Sequence, residues 1–307
     1  MSLKIVFMGT PAFAVPSLDA LYESEHEIVG VVTATDKLGG RGKKQVLESA
    51  VKRYARSKNL TILQPKNLKS EDFLEELKAL KADLQVVVAF RMLPEAVWDM
   101  PPLGTFNLHA SLLPAYRGAA PINWAIIRGE KKTGLTTFFI QHEIDTGDIL
   151  FQKEVPIKED DTAGDLHDRM MIEGARLVVQ TVDAIEREEY QLQKQDDSLA
   201  SKAPKIFFET CEIDFAQPTS KVYDFIRGLS PYPGAWTQLA GGNRLKIFRA
   251  EKEIVEHDNR PGEPVTDDKE YLKFATLDGL IEAKEVQLQG RRRMKIEDFL
   301  NGYSFLG

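Results

Sequence analysis

The sequence is short of several features that would place it in a class at once. It holds a single cysteine, Cys211, in 307 residues. That excludes an internal disulfide and any metal site built on several thiolates, and it suits a reducing compartment. No apolar run approaches the roughly 18–20 residues needed to span a bilayer. Residues 1–8 pass straight into a strand-like pattern without the basic head and apolar stretch of a secretion signal, so the expected location is cytoplasmic. Cations do not dominate either. The formal net charge is −7, and no global field advertises a polyanionic partner. The glycine fingerprint of dinucleotide-binding proteins is also absent. Gly9 is followed by Thr10, Pro11, Ala12, Phe13 and Ala14, without the second and third glycines that let a backbone approach a pyrophosphate.

What is present reads as a soluble globular protein: 43% hydrophobic and 28% charged residues are ordinary proportions. The length fits one large domain with a smaller partner, at about 100–200 residues per domain. Residues 3–8 (LKIVFM), 27–33 (EIVGVVT) and 83–90 (DLQVVVAF) are apolar runs of the kind found in strands covered on both faces. Helical spacing appears at 13–22, 46–57 (basic and amphipathic), 71–80, 121–128 and 162–188, with further strands at 105–109, 135–140 and 149–153. Strands alternating with helices predict an α/β fold with a doubly wound, mainly parallel, Rossmann-like sheet over residues 1–189. Residues 190–205 are polar and lack an apolar period, as a linker would. Over 206–307 the spacing predicts a helix at 220–228 and short strands at 235–239, 245–250, 271–276 and 280–288, which together suggest a small OB-like β-barrel.

Local charge differs from the whole. Between residues 36 and 58, Lys37, Arg41, Lys43, Lys44, Lys52, Arg53, Arg56 and Lys58 face only Asp36 and Glu48. The excess of six is read by a partner within a Debye length of about 8 Å. Arg291, Arg292, Arg293 and Lys295 form a second basic knot, equally compatible with a solvated strand edge.

The segment richest in chemistry runs from Thr105 through Asn107, His109, Ser111, Leu112, Leu113 and Pro114 to Arg117 and Gly118. Asn107 and His109 are two apart in a strand and project from one face. They sit at a strand's carboxyl end, where open α/β sheets place ligands. An amide beside an imidazole can grip one developing oxyanion; taken alone, the pair also fits a satisfied hydrogen-bond cluster. Downstream, Asp145-Thr146-Gly147-Asp148 offers a carboxylate, or simply a turn.

Together these pieces resemble the formyltransferases that use 10-formyltetrahydrofolate. The resemblance rests on Met8-Gly9-Thr10-Pro11, the Gly40-Arg41-Gly42-Lys43-Lys44 loop, Asn107-x-His109-x-Ser111-Leu112-Leu113-Pro114, Arg117-Gly118-Ala119-Ala120-Pro121, Asp145-Thr146-Gly147-Asp148 and Arg227-Gly228-Leu229-Ser230-Pro231-Tyr232-Pro233-Gly234. It runs in register over nearly the whole chain. One departure is Ala34-Thr35-Asp36-Lys37-Leu38-Gly39, where the family's loop carries prolines around its aspartate.

The resemblance implies a formyl transfer from 10-formyltetrahydrofolate, without a metal, to the amine of methionine carried on initiator tRNA. Asn107, His109 and Asp145 would be catalytic. Asn107 and His109 would stabilise the oxyanion, and Asp145 would act as base and partner of His109. Ser111, Leu112, Leu113 and Pro114 would line the folate site. Arg41, Lys43 and Lys44 would contact tRNA, as would the domain at 206–307, with a monomer as the expected state. An amino sugar nucleotide is the alternative acceptor. The extra domain argues against a purine-pathway enzyme, and the missing glycine fingerprint against a nicotinamide oxidoreductase.

Overall fold

The computed structural model describes residues 2–39 and 45–305. By internal packing these form two compact units that interleave in sequence: 1–118, 134–155 and 167–202 in one, and 119–133, 156–166 and 203–307 in the other.

The strands of the first unit are β1 (Lys4–Gly9), β2 (Glu27–Val32), β3 (Lys37–Gly39), β4 (Gln45–Leu47), β5 (Ile62–Leu63), β6 (Leu84–Val88), β7 (Thr105–His109), β8 (Arg117–Gly118), β9 (Lys132–Phe139), β10 (Ile149–Pro156) and, at its end, β11 (Lys202–Ala203). Seven of them make one sheet in the order β10-β9-β7-β6-β1-β2-β5. The pairs β5–β2, β2–β1, β1–β6 and β6–β7 are parallel, and β7–β9 is antiparallel. Burial explains the apolar runs. Ile5, Val6, Phe7 and Met8 of β1 are fully inaccessible, as are Leu84, Val86 and Val88 of β6, so both faces of these strands are covered and period-two alternation is lost. Helices α1 (Val15–Tyr22), α2 (Ala50–Ser57), α3 (Glu71–Ala79) and α4 (Glu95–Trp98) punctuate the strands. Phe73 and Leu77 of α3 and Val97 of α4 join the core that contains Val6, Met8 and Val87.

One expectation fails here. Residues 46–57 are not a single helix. Gln45–Leu47 is a strand paired antiparallel with Lys37–Gly39, through Lys37↔Leu47 and Gly39↔Gln45. Ser49 then starts α2 as an extended N-cap whose hydroxyl accepts the Lys52 N–H at 2.9 Å. A helical period cannot reveal that boundary, because a cap of this kind sets it from within the run. Residues 190–202 lack an apolar period yet lie on the first unit. Gln193 pairs with Ile149 in an antiparallel bridge, and Ser201 holds Tyr116 and Arg117 by their backbone N–H groups at 2.9 Å each.

In the second unit α5 (Pro121–Ile127) lies against α7 (Thr219–Leu229), and the long α6 (Ala163–Glu186) begins there. The α5–α7 approach is close: a Cβ on Gly228 would meet Ile127 at 2.6 Å, and Asn123 donates to the Gly228 carbonyl at 2.8 Å. The sheet of this unit is antiparallel, β12 (Ala235–Gln238), β13 (Arg244–Ile254), β16 (Gly279–Leu288), β15 (Leu272–Ala275) and β14 (Pro264–Thr266) in that order, with β17 (Met294–Lys295) against β16 and α8 (Ile296–Leu300) after it. Gly279, Ile281 and Ala283 of β16 are buried in alternation with partly exposed neighbours, as a one-faced sheet requires. Among the described residues no helix is long and apolar enough to cross a membrane.

Candidate active site

The two-residue period of β7 settles which side chains leave the core. Phe106 and Leu108 are buried against apolar neighbours; Asn107 and His109 take the other face. β7 lies between β6 and β9, with Asn107 opposite Val87 and Phe138 and His109 opposite Thr136. Asn107 is half-buried, and among the described residues no hydrogen bond engages its amide. A donor left over at the carboxyl end of a parallel strand is available to a ligand.

His109 is held from both sides. Its Nε2 lies 2.9 Å from the Tyr116 carbonyl oxygen. A carbonyl only accepts, so Nε2 carries a proton. Nδ1 lies 3.8 Å from Asp145 Oδ2, with the two side chains 7% and 13% exposed. The same Oδ2 accepts the Gly118 N–H at 2.9 Å. A second proton on the ring would therefore face a fixed carboxylate in a site mostly shielded from water.

Asp145 has φ 57°, in the left-handed region, which Asp tolerates better than most residues. Tyr116 (φ 60°) and Ala89 (φ 49°) share it, on the segments leaving β7 and β6. Strained residues of this type persist where surrounding contacts over-determine them, commonly at functional sites. The turn around Asp145 also needs Gly147, since a Cβ there would lie 1.6 Å from the Phe139 carbonyl oxygen.

The Ser111 turn is built as a support. Ser111 is fully buried, and its hydroxyl donates to the Ala115 carbonyl at 2.6 Å. Thr136 donates to the Ser111 carbonyl at 2.7 Å and accepts the Leu113 N–H at 3.1 Å. Gln152 donates to the Leu113 carbonyl at 2.8 Å. Leu113 is buried, while Leu112 and Pro114 remain partly exposed. Of the four residues expected at a folate site, two are partly exposed and two are buried in the turn. The segment leaving β6 exposes 70% of Met92.

The expected tRNA contacts Arg41, Lys43 and Lys44 lie outside the described residues. Nearby, the basic excess is partly neutralised: Lys52 pairs with Asp36 at 2.5 Å and Glu48 at 3.5 Å, and Arg56 pairs with Glu48 at 2.7 Å. Hydrogen bonds from Gln64 and Lys52 hold the Asp36 carboxyl below the usual carboxylate range. In the second basic knot, Arg293 pairs with Glu285 at 2.6 Å and lies 4.3 Å from the Phe248 ring centroid. Cys211 is buried and its thiol donates to the Phe207 carbonyl at 3.1 Å. The His26 side chain is largely shielded; its Nδ1 accepts the Leu3 N–H and its Nε2 meets Asp183 at 3.0 Å. Among the described residues no group of three or more His, Cys, Asp or Glu side chains could hold a metal ion.

Sequence reading missed the residues that position the others. Gly118 acts through its N–H, Tyr116 through its carbonyl, and Thr136, Gln152 and Gln195 through neutral side chains. None of these has a spacing that marks it.

Residues 3–182 match the model of the formyl transferase family, and residues 205–304 match the formyl transferase C-terminal domain. A methionyl-tRNA formyltransferase of Parabacteroides distasonis is 55% identical, covering 98% of this chain and 96% of the relative. One of Bacteroides thetaiotaomicron is 52% identical over the same shares. Among solved structures, an N-formyltransferase of Helicobacter canadensis, in complex with folinic acid and dTDP-3-aminofucose, superposes with a TM-score of 0.71 at 22% identity, covering 92% of this chain and 98% of that one. HypX of Aquifex aeolicus, in complex with tetrahydrofolic acid, gives 0.66 at 20% identity, covering 98% of this chain and 47% of that one. At such identities the likeness concerns the fold. The full-length relatives and both family models make the assignment: this chain is an enzyme and belongs to the formyl transferase family.

Proposed function

We propose that the enzyme, as a monomer, transfers the formyl group of 10-formyltetrahydrofolate to the amino group of methionyl-initiator tRNA, and so serves translation initiation. The observation that carries the chemistry is the convergence of Asn107, His109 and Asp145 at the end of β7, with Asp145 Oδ2 3.8 Å from His109 Nδ1. The acceptor rests on relatives at 52–55% identity over nearly the whole chain.

In this reading the amine attacks the formyl carbon directly. A new C–N bond forms, and the carbonyl oxygen takes the negative charge. Asn107 donates to that oxygen. His109, when doubly protonated, adds a charge-assisted bond, roughly twice as strong as a neutral one, with its Nε2–H shared between the intermediate and the Tyr116 carbonyl. Asp145 balances the imidazolium and accepts the proton lost by the amine, directly or through water. Collapse breaks the bond from the formyl carbon to the folate nitrogen, which leaves with the proton that Asp145 took from the amine, returned directly or through water. Leu112 and Pro114 offer a pterin ring an apolar surface beside the strand end, while Ser111 and Leu113 keep the turn in place beneath them. Arg41, Lys43 and Lys44, in a glycine-rich stretch, supply charge for the acceptor end of the tRNA.

The test offers the purified protein 10-formyltetrahydrofolate with methionyl-initiator tRNA, glycinamide ribonucleotide, a dTDP-linked amino sugar, or buffer alone. Product with the charged tRNA alone is expected. Turnover on the amino sugar instead would keep the site and replace the acceptor.

A further inference from the structure

Asp145 is placed by its backbone before its carboxylate can act, and that backbone is gripped by a residue some fifty positions away. Nε2 of Gln195 donates to the Asp145 carbonyl at 2.9 Å and to the Gly147 carbonyl at 2.8 Å. Its Oε1 accepts from Arg117 Nε at 3.1 Å and Arg117 Nη2 at 2.7 Å. A carboxamide has two donor hydrogens and two acceptor lone pairs, so this one is fully used. The arrangement also fixes its orientation: a flipped amide would aim N–H groups at a guanidinium and an oxygen at two carbonyls.

The position of Arg117 makes this more than a loop contact. Tyr116, just before it, gives its carbonyl to His109 Nε2, and Gly118, just after it, gives its N–H to Asp145 Oδ2. Gln195 thus ties the stretch that holds His109 to the turn that carries Asp145, closing a ring through both residues. Gln195 is itself anchored two residues earlier, where Gln193 exchanges both backbone hydrogen bonds with Ile149, at 2.8 and 3.0 Å. The turn needs such a clamp, because Asp145 sits at φ 57°, a left-handed conformation that persists where surrounding contacts over-determine it.

We propose that Gln195 is a positioning residue for formyl transfer, setting the Asp145 carboxylate against His109 by clamping residues 145 and 147 to Arg117. The proposal rests on the reading of Asp145 as base and partner of His109. The effect falls on the chemical step, since misplacing a reacting group by about 1 Å can cost on the order of 10²-fold.

Two variants test it in the full-length enzyme. Gln195→Met keeps the size and removes all four hydrogen bonds. Gln195→Glu keeps the Arg117 partner, and with it the anchoring of the segment, but turns an oxygen toward the two carbonyls. The expected result for both is a fall in kcat of about tenfold or more, with KM for folate and tRNA within about twofold of wild type. In single-turnover assays the loss should largely vanish when Asp145→Asn is already present, because residues acting as a unit are non-additive. Wild-type kcat in Gln195→Glu, a drop in Tm without a drop in kcat, or a rate loss that persists undiminished beside Asp145→Asn would overturn the proposal. Asp145→Asn at the wild-type rate would instead overturn the underlying reading of Asp145, and is recognised by that variant alone.

Discussion

Nδ1 of His109 and Oδ2 of Asp145 stand 3.8 Å apart, and that one carboxylate oxygen also accepts the Gly118 N–H at 2.9 Å. Both side chains are poorly solvated, and the N–H anchor keeps the carboxylate from turning away. The Tyr116 carbonyl occupies the other ring nitrogen, so the stretch 116–118 holds the imidazole directly through Tyr116 and indirectly through the carboxylate that Gly118 anchors. The site is preorganised by backbone groups, which cost no reorganisation as charge develops.

That preorganisation depends on a missing side chain. A Cβ at Gly147 would lie 1.6 Å from the Phe139 carbonyl oxygen, so Gly147→Ala must push the turn away from β9. We expect Gly147→Ala to lower kcat by more than tenfold, on the order of the loss expected for displaced catalytic groups, and to lower Tm. Steady-state kinetics and thermal melting of the purified variant check this. A variant with wild-type kcat would mean that the turn relaxes without moving Asp145.

Stability of the second unit should carry an acid signature at the start of α7. Asp278 accepts the Thr219 N–H at 2.7 Å and the Thr219 hydroxyl at 2.7 Å, and these bonds hold its carboxyl below the usual carboxylate range. The folded state is the stronger acid, so the contribution is fully present above the unfolded value of about 3.9 and is lost as pH falls through the folded one. Asp278→Ala should therefore melt below wild type at pH 5–8, with the gap closing under about pH 4. The gap should be small, since the carboxylate is exposed and screened. A gap that stays constant into acid would show that the side chain acts without its charge.

The lone cysteine should prove chemically quiet. Burial pushes the Cys211 thiol up from its ordinary value, and the thiolate is the reactive form. Iodoacetamide at neutral pH should leave the folded enzyme unmodified and fully active, and should modify it once unfolded. Rapid labelling of the native enzyme would contradict the buried position.

Much of this was legible in the sequence, and the reasons are specific. The run LQVVV of β6 reads as a strand covered on both faces because it is one, and Thr105–His109 carries its period without interruption. Asn107 and His109 share a face by that period alone. Strand β4 was hidden because Val46 and Leu47 also fit the helical spacing of α2, and only the Ser49 cap divides them. The strands β14 and β17 and the five-residue α8 are too short to show a period. The bond from the Ser111 hydroxyl to the Ala115 carbonyl is not legible in the motif, because a motif does not show which of its members are buried. Gln195 lay in polar sequence with no periodicity, and its partners are two carbonyls and an arginine far away in the chain. Contacts of that kind belong to the tertiary structure.

The most direct test of the account is the turnover of Asn107→Ala with 10-formyltetrahydrofolate and methionyl-initiator tRNA, measured beside wild type at matched folding. Loss of the oxyanion donor should lower kcat by on the order of 10²–10³, about 2.7–4 kcal/mol of transition-state stabilisation, with little change in KM. Turnover close to wild type would contradict the placement of the reacting carbonyl at the end of β7, and with it the roles given to His109 and Asp145.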